Sequence, residues 1–97
     1  MKKQGRDERV ELLAYDSAQN EVLRQRLTFR HYMELSIPVL DDAGFRRARG
    51  IVRLVGRIEN DAGVLSQEFE VLYDRQGIFV SDACRFGDGT VIGQWPK

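Results

Sequence analysis

From Leu23 to Val39 apolar and polar positions alternate. The odd positions read Leu23, Gln25, Leu27, Phe29, His31, Met33, Leu35, Ile37 and Val39, and the even positions read Arg24, Arg26, Thr28, Arg30, Tyr32, Glu34, Ser36 and Pro38. A period of two is the signature of a strand with one face buried, because successive side chains point to opposite sides. A helix through the same stretch would set Arg26 and Arg30 in the sector of Val22, Met33 and Ile37, which an amphipathic helix avoids. Seventeen residues exceed one ordinary strand of about 5 to 6, so the pattern predicts two strands, near 21–30 and 33–40, divided by a bulge or bend. Pro38 cannot donate a ladder hydrogen bond and is expected at an edge or strand end.

Other segments extend the same reading. Arg9 to Tyr15 is a strand candidate, and the turn-forming run Asp16-Ser17-Ala18-Gln19-Asn20 predicts that it forms a hairpin with the next strand. Asp41-Asp42-Ala43-Gly44 marks a reversal. Arg47 to Ile58 alternates again, with Arg47, Arg49, Arg53 and Arg57 on one face and glycines that point to coiling or close backbone approach. Val64 to Tyr73, Ile78 to Val80 and Thr90 to Gly93 complete the strand candidates, and Ser81 to Gly89 reads as loop. About six strands on short turns, without a convincing long helix, predict an all-β fold. Both a small antiparallel β-barrel and a two-sheet sandwich satisfy the pattern, and closure has the advantage of removing exposed edges.

The chain of 97 residues suits one β domain spanning 1–97, with 1–8 and 94–97 as flexible tails. Hydrophobic residues at 42% and charged residues at 31% are ordinary for a globular chain. No run approaches the ~20 apolar residues of a membrane span, and the charged opening does not resemble a signal peptide, so a cytoplasmic location away from membranes is expected. Cys84, the single cysteine, cannot form an internal disulfide and is expected to act as a small hydrophobe. Neither a metal nor a cofactor is implied.

Charge changes the picture more than composition does. The formal net charge is zero, yet from Arg24 to Arg57 eight arginines meet only Glu34, Asp41 and Asp42, a local balance of +5, whereas from Ile58 onward three cations meet seven acids, a balance of −4. If Arg24, Arg26 and Arg30 lay beside Arg47, Arg49, Arg53 and Arg57, the seven would form an anion-binding patch. Guanidinium forks suit phosphate oxygens, and Tyr32 could stack on a base. The competing expectation is that folding joins the two halves as cross-strand ion pairs.

Arg26-Leu27-Thr28-Phe29-Arg30, followed by Ile37-Pro38-Val39, resembles the opening of PilZ domains, six-stranded barrels that bind cyclic diguanylate. The resemblance implies that Arg26 and Arg30 grip that ligand's phosphates and base. The second PilZ motif, Asp/Asn-x-Ser-x-x-Gly, is not matched by Gly50-Ile51-Val52-Arg53-Leu54-Val55-Gly56. His31, the only histidine, falls on the mainly apolar face and is expected to pack there. Asp82 and Asp88 with Gly87 and Gly89 fit a polar connecting loop better than a metal loop, and Trp95 is either a plug on the fold or an exposed contact. With no catalytic constellation in view, the leading expectation is a non-enzymatic binding or assembly module that acts on a protein partner or on itself. Anion recognition, of nucleic acid or a cyclic dinucleotide, is the alternative.

Overall fold

The computed structural model describes residues 8–28, 30, 36–60 and 62–93. It contains β1 (Arg9–Asp16), β2 (Glu21–Thr28), two short helices α1 (Pro38–Asp41) and α2 (Ala43–Arg49), then β3 (Ile51–Glu59), β4 (Leu65–Tyr73), β5 (Phe79–Phe86) and β6 (Val91–Gly93). All six strands belong to one antiparallel sheet in the order β2-β1-β3-β4-β5-β6. The expected all-β class and strand number hold, but the sheet is open, with β2 and β6 as its edges, rather than closed into a barrel. No helix among the described residues is long and apolar enough to cross a membrane.

The hairpins form where turn chemistry marks them. Asp16 Oδ1 accepts from the backbone N–H groups of Ala18 and Asn20, and Asp74 does the same for Gln76 and Ile78. Two further expectations fail. First, the proposed strand 33–40 and the start of the proposed strand 47–58 are replaced by helix over 38–41 and 43–49; residues 31–35, including His31 and Tyr32, lie outside the described set, as does Trp95. Helix wins because local signals start or stop each segment. Pro38 opens α1, where a missing N–H is harmless; Asp42 Oδ1 accepts from Gly44 and Phe45 at the start of α2; and Gly50 closes α2. Asp41 accepts from Ser36 Oγ and Ile37 N, fixing the approach to α1.

Second, Ser81 to Phe86 is strand, not loop. Its polar side chains gain cross-strand partners, above all Arg85 opposite Glu68, and the register with β4 runs from Gln67↔Phe86 to Tyr73↔Phe79.

The two helices lie in the crossover from β2 to β3, which passes over β1 because β1 sits between those strands. The crossover decides which face becomes the core. Val10, Leu12 and Ala14 of β1, Leu54 and Ile58 of β3 and Tyr73 of β4 join Ile37 and Val39 in one buried cluster, against which Leu23, Leu27, Leu40, Phe45, Phe69 and Val71 pack. Gly56 sits opposite Phe69, and its missing side chain leaves room for the ring: a Cβ there would lie 2.0 Å from Phe69 Cζ. The close approach expected of glycines in this segment is therefore made by an aromatic ring.

Arg46 of α2 ties the crossover to the far hairpin. Its buried guanidinium donates to the carbonyl of Gly77 from Nε at 3.0 Å and Nη2 at 2.7 Å, and from Nη1 to Val39 O and Leu40 O at 3.1 and 3.0 Å. It also stacks on Tyr73, 4.0 Å from the ring centroid. The turn must come close for this to happen. Gly77 has φ +82°, and a Cβ on it would lie 2.4 Å from Ala43 O. Replacing Arg46 by Met strips the donors from three carbonyls and is expected to destabilise the fold by about 2–4 kcal/mol. Gly77→Ala, both strained and obstructed, is expected to lose at least about 1 kcal/mol. Urea unfolding checks both, and an Arg46→Met midpoint equal to that of the parent protein would refute the staple.

Candidate functional site

Cross-strand register places one charged row across five strands on the face opposite the core: Arg26 (β2), Glu11 (β1), Arg57 (β3), Glu68 (β4) and Arg85 (β5). Signs alternate at every step. Arg26 Nε donates to Glu11 Oε2 at 3.0 Å, and Glu68 is shared by Arg57 and Arg85. Arg57 Nε lies 3.3 Å from Glu68 Oε2 as an ion contact without hydrogen-bond alignment, so this buried nitrogen has no true acceptor. Around the row, Arg24 engages Glu11 and Glu21, Arg53 engages the buried Glu70 at 2.6 Å, and Arg9 approaches Glu59 at 3.9 Å.

The seven arginines considered as one anion patch are therefore divided. Arg24, Arg26, Arg53 and Arg57 share the charged face, each against a carboxylate. Arg47 and Arg49 do not continue the row of Arg53 and Arg57, as a single strand would require, because they belong to α2; Arg49 stacks on Phe45 at 3.8 Å. Arg30 is exposed with helical backbone. Arg26 and Arg30, which the PilZ resemblance assigns to one ligand, thus differ in setting, and Arg26 lies inside the second strand rather than ahead of the first. The two halves meet as cross-strand pairs in part: Arg53 and Arg57 face Glu70 and Glu68 of the acidic half, whereas Arg24 and Arg26 face Glu11 and Glu21, which lie ahead of it. A cleft of about 430 Å³ remains where β1, β2 and β3 end, with Arg9, Arg26 and Arg57 converging beside Glu11 and Glu59.

The sheet's other feature is apolar and was not singled out in the sequence. Among the described residues, large apolar side chains of β5, β6 and the turn before β5 stay exposed. Ile78, Phe79, Val80, Phe86, Val91 and Ile92 are all exposed, Ile92 by 59% and Phe79 by 54%. On the core-side face, register aligns Phe69 with Cys84 and Cys84 with Ile92. A half-open cavity of about 400 Å³ lies there, lined by Leu40, Phe69, Val71, Cys84 and Ile92. Cys84 is half-buried, as expected of a small hydrophobe, and its Sγ accepts from Gln67 Nε2 at 3.0 Å. Asp88 serves the β5–β6 turn, where its Oδ1 accepts from Thr90 N and its carboxyl is held below the usual aspartate range by that bond. Among the described residues no group of three or more metal-ligating side chains converges. No family model, curated protein or solved structure matches this chain. The functional reading therefore rests on the chain's own geometry.

Two outcomes test the charged face. Glu68→Gln leaves Arg57 and Arg85 without their shared carboxylate and is expected to lower stability by about 1–3 kcal/mol. A double-mutant cycle with Arg57→Gln should show coupling, and strict additivity would count against the row. Glu21 is held below its ordinary value by the Arg24 guanidinium bonded to it, so this interaction is present above the ordinary glutamate range and is lost as pH falls through the lowered value. An NMR titration should find the Glu21 midpoint below that of a free glutamate and returned to it in Arg24→Gln.

Proposed function

We propose that this protein is a non-enzymatic binding or assembly module that acts through a protein–protein surface at the β5–β6 end of its sheet. The observation that carries the reading is the exposure of large apolar side chains along the last hairpin, Ile78, Phe79 and Val80 at the start of β5 and Phe86, Val91 and Ile92 around β6, beside an edge of the open sheet. Scattered exposed hydrophobes are normal; a group of them beside an unpaired strand edge is a characteristic of interaction surfaces. The contrast within the molecule supports the same reading, because the β2 edge carries Arg24 and Arg26, charges of the kind that blunt edge pairing.

Anion recognition draws support from fewer residues. Four of the seven arginines already face carboxylates, which an anionic ligand would have to displace.

A photo-crosslinking amino acid placed at Val80 or Ile92 tests the surface in cells. The expected result is a protein adduct from these positions and none from Val64, which is equally exposed but lies in the β3–β4 turn. Absence of adducts from all three, or equal labelling from all three, overturns the proposal.

A further inference from the structure

At the other side of the sheet, we infer that the cleft where β1, β2 and β3 end binds a phosphate monoester, its phosphoryl oxygens held by Arg9, Arg26 and Arg57. The site stands apart from the β5–β6 surface, because β2 is the opposite edge of the sheet. Three strands supply one arginine each. Register sets Arg26 and Arg57 on either side of Glu11, and Arg9 stands two residues along β1 on the same face, between Thr28 and Glu59. All three arginines line the cleft of about 430 Å³, a volume in the range of small-molecule sites.

These three arginines hold donors that their neighbour on β2 does not. Arg24 commits Nε, Nη1 and Nη2 to Glu11 and Glu21. Arg26 commits only Nε, to Glu11. Among the described residues Arg57 makes no aligned hydrogen bond, and Arg9 has only an ion contact with Glu59 at 3.9 Å. The Nη groups of all three therefore retain donors for an outside acceptor. A ligand confined to the cleft need displace no carboxylate, unlike one spread over the whole face.

Charge and shape select the class of ligand. Three arginines and two glutamates line the cleft, and Glu11 is engaged from outside it by Arg24 as well, so the balance favours an anion. Forks that approach from three strands suit a group with three acceptor oxygens, whereas a carboxylate or a phosphodiester offers two. The cleft is larger than a phosphoryl group. Its remaining space takes the body of the ester, with Glu11 and Glu59 placed to accept from hydroxyl or amino groups there.

An NMR titration of the purified full chain, followed at the arginine Nε–H signals, tests the site with phenyl phosphate, dimethyl phosphate and acetate. Phenyl phosphate is expected to give saturable shifts at Arg9, Arg26 and Arg57, and the two-oxygen anions to bind at least about tenfold more weakly. Arg9→Gln and Arg57→Gln should each weaken phenyl phosphate by at least about tenfold. Arg47→Gln removes the same charge from α2, outside the cleft, and should leave the affinity within about twofold of the parent protein. The Arg9 side chain is 55% exposed, so Arg9→Gln keeps the test independent of any loss of stability in Arg57→Gln. The absence of saturable shifts with phenyl phosphate overturns the inference. Equal affinity for acetate or dimethyl phosphate, or an equal loss in Arg47→Gln, overturns it too.

Discussion

The fold depends on a buried guanidinium whose acceptors among the described residues are backbone carbonyls rather than carboxylates. Arg46 sits in α2, yet its donors reach back to the end of α1 and across to the β4–β5 turn, and its plane rests on Tyr73. A rigid planar fork can satisfy three backbone carbonyls at once, which a flexible ammonium cannot do with the same geometry. The contact fixes where the crossover lies on the sheet. That position determines which apolar residues are sealed.

The two faces meet the cost of exposing or burying a sheet in different ways. On the core side, aliphatic residues of β1 and β3 are covered by Ile37 and Val39. On the other side, alternating arginine and glutamate cover the strands themselves, with long arginine stems lying over the pleat and each carboxylate shared or closely held. Exposed pairs of this kind add little individually. The arrangement matters more through Glu68 and Glu70, which are largely buried and would be costly without their arginines. The same pairing sets four arginines of the basic stretch against carboxylates: Arg53 and Arg57 meet Glu70 and Glu68 of the acidic stretch, and Arg24 and Arg26 meet Glu11 and Glu21.

The charged row reaches β5 but not β6. The row ends at Arg85, opposite Val91, and on the other face Phe86 and Ile92 remain exposed, with a half-open cavity between Leu40 and Ile92. In the reading proposed above, these exposed side chains are what links assembly to the fold.

Much of this was legible from residues met in order. Period-two alternation marked most of β2 and β3, β1 and β4 were read as strand candidates, and Asp16 announced its turn, because each signal is local: the side chains that alternate or cap lie within a few residues of the backbone they govern. The helices were missed for a related reason. Pro38, Asp42 and Gly50 carried cap chemistry, but the alternation continuing through Ile37 and Val39 mimicked a strand, and a short helix pressed on a sheet needs few apolar positions. Ser81 to Phe86 looked like loop because its strand character comes from β4.

Sequence by itself determined the β class, the turns, and a polarity of charge between the halves of the chain. Tertiary structure alone decided that the sheet stays open, that Arg46 is a structural staple, that the arginines are divided between neutralised pairs and a helix, and that apolar side chains of β5 and β6 stay exposed. Each of these depends on residues distant in sequence becoming neighbours, and a side chain's charge partner or covering layer is a property of that juxtaposition.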